Sequence, residues 1–199
     1  MQLMRYQIPY HKINAILISH LHGDHYLGLV GLLFTMHLLR RENDLHLYAP
    51  KGLDEIITLQ LKHSHSTLRF NLIFHAVDAA NKTLLFEDDA LTIETIPLLH
   101  KIPCCGFLFR EKPKPHRIDK GKLPTGILLQ HIVILKSGKD VLDHTGNLLY
   151  KNEDYTLPPH HSYSYAYCSD TAYAEPITEQ IRGVDLLYHE ATFLEEEKE

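Results

Sequence analysis

The spacing of apolar positions divides the chain into short strands and longer helices. Ile13 to Ser19 is a compact apolar run that reads as a buried strand. From Tyr26 to Arg41 apolar residues fall on most faces (Leu27, Leu29, Val30, Leu32, Leu33, Phe34, Met36, Leu38, Leu39), which predicts a helix buried on more than one side, with Gly28 and Gly31 permitting close packing. Leu45 to Ala49 reads as a strand stopped by Pro50, and Gly52 to His65 as a helix carrying Ile56, Ile57, Leu59 and Leu61. Phe70 to Val77, Thr83 to Glu87 and Ala90 to Pro97 read as strands, the last two joined by an Asp88-Asp89 turn. Pro113, Pro115, Gly121 and Pro124 then disfavour regular structure. A hairpin over Val141 to Tyr150, a strand over Tyr163 to Cys168, a helix over Glu175 to Arg182 and a strand over Val184 to Tyr188 complete an α/β pattern. Met1 to Lys12 reads as a short helix or turn leading into the first strand.

The chemistry gathers where strands end. His20-Leu21-His22-Gly23-Asp24-His25 lies between the first strand and the long helix, at the carboxyl end of the strand, where α/β folds place their sites. Imidazole nitrogens and carboxylate oxygens are both zinc donors. His20 and His22 lie two apart in extended chain and face the same way, while Asp24 and His25 follow a turn at Gly23 and can address a second position. The spacing therefore predicts a two-metal site. A surface histidine cluster is the plainer alternative, but a buried strand feeding the motif argues against it. His100 follows another strand and can face the same cleft. Asp170, in Ser169-Asp170-Thr171, can bridge two cations with its two oxygens, or can cap the helix that begins at Glu175. His37 reads as an edge histidine, and His63, His65, His75, His160 and His161 as solvent-facing.

Composition adds limits. A chain of 199 residues, 44% hydrophobic and 23% charged, suffices for one domain with its own core. The net charge of -5 excludes a polycation, so any nucleic-acid contact must be local. Such a patch exists: residues 110–122 hold six lysines and arginines (Arg110, Lys112, Lys114, Arg117, Lys120, Lys122) against Glu111 and Asp119. It reads either as a solvated loop or as an RNA-gripping segment. Three cysteines, Cys104, Cys105 and Cys168, two of them adjacent, form no disulfide framework and fit a reducing cytoplasm. No stretch has the length of a membrane span, and Met1 to Ile8 lacks a signal-peptide core.

The H-x-H-x-D-H pattern resembles the metallo-β-lactamase superfamily. Ser19 to His25, His100 to Phe107, Leu135 to Gly138, Ser169-Asp170-Thr171 and His189-Glu190-Ala191-Thr192-Phe193 are together similar to motifs of ribonuclease Z, the endonuclease that trims the 3′ end of precursor tRNA. The resemblance implies an αββα sandwich, here a single partial domain over residues 1–199, incomplete at both termini and carrying a basic arm inserted at about 108–140. It implies one zinc on His20, His22, His100 and Asp170, and a second on Asp24, His25 and Asp170 with a histidine that no residue here matches. Asp24 would serve as base. His189 would assist proton transfer rather than bind metal, oriented by Glu190. The implied partners are precursor tRNA and a second subunit, with no membrane. Other hydrolases of this fold (thioesterase, lactonase, arylsulfatase) and a piece that binds RNA without cleaving it are the competing readings.

Overall fold

The structure, a computed structural model, describes residues 2–192. In chain order the elements are α1 (Gln2–Arg5), a 3-10 turn (Tyr10–Lys12), β1 (Ala15–Leu17), α2 (Gly23–Leu38), β2 (Leu45–Ala49), α3 (Leu53–His63), β3 (Leu72–Ala76), β4 (Leu84–Glu87), β5 (Leu91–Leu98) and β6 (Cys104–Glu111). They continue with β7 (Arg117–Ile118), α4 (Leu129–Lys136), β8 (Val141–Leu142), β9 (Leu148–Tyr150), α5 (Asn152–Tyr155), β10 (Thr156–Leu157), β11 (Ser164–Cys168), α6 (Glu175–Ile181) and β12 (Leu186–His189).

Two sheets face one another. The first is parallel, in the order β1-β2-β3, and the second runs β12-β11-β6-β5-β4. Alternation along β2 sends Leu45, Leu47 and Ala49 to one side, where they pack on Leu29, Val30, Leu33 and Met36 of α2 and Leu53 and Ile57 of α3. Tyr48 points to the other side and meets Ile93, Cys105 and Phe107 of the second sheet. The far face of that sheet buries Ile96, Leu108, Ala166 and Cys168 under Ile177 of α6. Helices, sheet, sheet, helix is the αββα layering expected.

Close approach of β6 and β11 depends on Gly106. A Cβ there would stand 2.2 Å from the carbonyl oxygen of Tyr167, a backbone atom that cannot turn aside. The Gly106-Phe107 pair thus has a packing cause next to the strand end that carries Asp170.

Several local expectations are corrected. The long helix begins at Gly23, not Tyr26, so Gly23 is its first residue rather than a separate turn, and Asp24 and His25 sit in its first turn. Its buried stripe is one-sided: Leu27 and Leu38 are exposed, and a Cβ on Gly28 or Gly31 would meet nothing within 4 Å, so these glycines mediate no close packing. His75 is half-buried rather than fully solvent-facing; its Nε2 lies 2.8 Å from Nδ1 of His46 and its ring stacks on Tyr48. Residues 108–111 belong to β6, and the excursion between the sheet strands runs on to 163, pinned at its base by the antiparallel β7–β10 pair. The supposedly irregular basic run therefore contributes a strand, because its partner returns forty residues later.

Candidate metal centre

Each donor is delivered by the end of a strand or the start of a helix. Past β1 the chain is held by Ile18 donating to the Tyr48 carbonyl, and Cys105 donates to the carbonyl of Ser19, tying the two sheets together beside the motif. This buries His20 completely. His22 is the extended N-cap of α2, and its carbonyl accepts from His25. His100 lies just beyond β5, and Asp170 just beyond β11. Their loops are bonded to each other: Ala172 donates to the carbonyl of Leu99, and Leu99 donates to the hydroxyl of Thr171. The helix after Asp170 is capped by Ala174, so Asp170 is not its cap.

The structure brings His20, His22, His100 and Asp170 together, one donor atom of each within 4.8 Å of all the others. Nε2 of His20 and Nε2 of His100 stand 3.2 and 3.1 Å from Nδ1 of His22. Asp170 divides its oxygens. Its Oδ2 lies 3.8 Å from His20 and 3.9 Å from His100, while its Oδ1 lies 3.4 Å from Nε2 of His25. Asp24 completes the second group, its Oδ2 3.3 Å from the same His25 nitrogen.

This donor set fits a cation. A tetrahedral zinc with ligands at about 2.1 Å places neighbouring donors roughly 3.4 Å apart, close to the spacing of these ring nitrogens. One proton cannot satisfy three converging imidazole nitrogens, whereas one ion can. Burial, and then repulsion from His25, holds the His20 pKa down from 6.5 to about 4, leaving the neutral imidazole that metals bind. The cysteines are excluded from the chemistry. Cys104 touches Nδ1 of His20 at 3.4 Å, but burial, assisted by Asp170, pushes its thiol up to about 12. The Cys105 thiol is likewise raised to about 12 and Cys168 to about 11, both by burial first.

His189 ends β12, paired with Cys168 across the sheet and exposed. Glu190 does not reach the His189 ring with its carboxylate. The Glu190 main-chain carbonyl lies 2.7 Å from Nδ1 of His189, while the carboxylate accepts from the amide of Thr171 and from the amide and hydroxyl of Thr192. Glu190 therefore braces the Asp170 loop, a role the bare motif could not reveal. Phe193, the last residue of that motif, lies outside the described residues. Ser19, Ser169 and Thr171 were also missed as site residues; their only signal is that each adjoins a candidate ligand in sequence.

Two facing sheets under outer helices, with the histidines at the strand ends, define a metallo-β-lactamase-fold protein. The crystal structure of human tRNase Z, short form (ELAC1), superposes with a TM-score of 0.64 at 25% identity, covering 98% of this chain and 64% of that one. Within that class, the chain belongs to the family described as "Anti-Pycsar protein Apyc1", whose family model matches residues 1–115. Proteins named Ribonuclease Z are similar over a longer span: that of Bacteroides fragilis (strain YCH46) is 44% identical over 202 residues, covering 99% of this chain and 65% of the relative. That of Cytophaga hutchinsonii is 48% identical over 174 residues, covering 87% of this chain and 56% of the relative. The likeness to ribonuclease Z read from the motifs is thus borne out, and the chain spans less than two thirds of the length of these relatives.

Proposed function

We propose that this chain carries the catalytic centre of a zinc-dependent endoribonuclease that removes the 3′ trailer from precursor tRNA. The observation that carries the reading is the split carboxylate of Asp170, one oxygen toward His20 and His100 and the other toward His25. His20, His22, His100 and Asp170 would hold one zinc, and Asp24, His25 and Asp170 a second, together with a further ligand. Bound there, the pair of cations would supply Lewis acidity toward a phosphoryl oxygen and lower the pKa of water.

The chain's own residues do the rest. Asp24, on the exposed first turn of α2, accepts the proton of the attacking water as its oxygen bonds to phosphorus. The bond from phosphorus to the 3′ oxygen of the tRNA breaks, and His189 delivers a proton to that oxygen. The products are a tRNA ending in a 3′-hydroxyl and a trailer beginning with a 5′-phosphate. Glu190 keeps the Asp170 loop and the His189 ring in place through the contacts described above. The excursion over residues 112–163 would act as the tRNA-gripping arm, reading backbone and shape rather than base edges. A cytoplasmic homodimer is the proposed setting, and among the described residues no helix is long and apolar enough to cross a membrane.

The test incubates the full chain with zinc and a precursor tRNA of defined trailer, and maps both new ends. Release of a 3′-hydroxyl tRNA and a 5′-phosphorylated trailer is expected. Hydrolysis of thioester or lactone substrates with no cleavage of the precursor would overturn the assignment.

A further inference from the structure

Two buried serines link the two halves of the histidine cluster from behind. Ser19 Oγ lies 3.0 Å from Nδ1 of His20 and 3.1 Å from Oγ of Ser169, 150 residues away in sequence. Ser169 Oγ in turn lies 3.5 Å from Nδ1 of His25. Ser19 is 4% exposed and Ser169 1%, so water cannot take over either contact.

One distribution of the protons satisfies the serine contacts and leaves the metal-facing nitrogens free. Nε2 of His20 and Nε2 of His25 both face Asp170. If each ring carries its proton on Nδ1, His20 donates to Ser19 and His25 donates to Ser169. Ser19 donates to Ser169. Both Nε2 lone pairs are then left bare toward the cleft. The Cys104 sulfur, 3.4 Å from Nδ1 of His20, is a weak partner and does not replace the serine.

We propose that Ser19 and Ser169 form a positioning pair that fixes the Nδ1–H tautomers of His20 and His25 together, so that the two cation sites form as a unit. Neither serine touches the position a cation would take; each acts through a ring. Outer partners of metal-binding histidines commonly set affinity in this way, and their loss costs about 10- to 100-fold. The zinc readout below rests on the proposed function; the tautomer readout does not.

The experiment records long-range 15N–1H NMR spectra of the full chain, free of metal, with zinc competition titrations in parallel. In the unmodified chain His20 and His25 are expected as Nδ1–H tautomers. Finding either as Nε2–H overturns the proposal, whatever happens to any variant. Ser19→Ala and Ser169→Ala are expected to mix the tautomers of His20 and His25 respectively and to weaken zinc binding about 10- to 100-fold each. The double variant should lose less than the product of the two. Unchanged tautomers with affinity within about twofold in both variants would overturn the pair as well. If the chain binds no zinc but the tautomers behave as stated, the zinc reading fails and the serine pair stands.

Discussion

Asp24 and Asp170 both reach Nε2 of His25, at 3.3 and 3.4 Å, from different surroundings: the Asp24 side chain is 78% exposed and that of Asp170 33%. On the proposed function Asp24 is the group that takes the proton of the attacking water, so Asp24→Ala is expected to abolish cleavage while leaving tRNA binding largely intact; gel-shift and cleavage assays on one precursor separate the two. A second residue-scale prediction concerns pH. The hydrogen bond with His161, and then those from Ser164, hold Asp185 down from the ordinary carboxylate value to about 2. A lowered folded pKa adds stability above the ordinary carboxylate range, lost as pH falls toward about 2. Asp185→Asn should therefore unfold at lower urea than the parent at pH 6, with the gap closing as the pH approaches that value. His20, His22 and Asp170 were legible in the sequence because spacing and strand ends announce them. Ser19 and Ser169 were not, since a serine looks the same whether it backs a ligand or faces water. Glu190 was legible only as a letter in a motif, and its partner Thr171 only from the fold.

Periodicity placed many of the strands and helices: the expected strand over Leu45 to Ala49 matches β2 residue for residue. It did not find β6, whose run Cys104 to Phe109 carries no alternation because both faces are covered, nor α4 beyond the proline-rich stretch. Periodicity failed at ends. It started the long helix at Tyr26 because the polar residues before it carry no apolar signal, although the N-cap is His22. It also saw a buried helix where only one stripe is covered, since composition alone cannot say which apolar residues find a partner. Gly106 makes the element-scale prediction. Gly106→Ala would press a methyl onto the Tyr167 backbone, and overpacking of this kind costs about 1–3 kcal/mol, measurable by denaturant unfolding. Because β11 ends at Cys168 just before Asp170, the same variant is expected to weaken zinc binding.

For the molecule as a whole, layering was legible through the family resemblance rather than through physics, because nothing local tells two facing sheets from one. The charged excursion was legible as composition, but not as structure. Three of the six cations of residues 110–122 are ion-paired where they stand: Lys112 with Glu87, Lys114 with Glu111 and Lys122 with Asp119. The excess positive charge is therefore narrower than the sequence suggested. Lys120 is exposed and forms no ion pair among the described residues. If the excursion grips tRNA, Lys120→Ala should weaken binding alike for different tRNAs and lower the salt slope by about 1, read from affinities at several salt concentrations. The expectations for cleavage and zinc binding rest on cations held between loops that the two sheets bring together. Anomalous diffraction at the zinc edge from crystals of the full chain tests this most directly. The account predicts an anomalous peak bounded by His20, His22, His100 and Asp170, and its loss in Asp170→Ala; no peak among these four side chains, or one that persists in that variant, would contradict it.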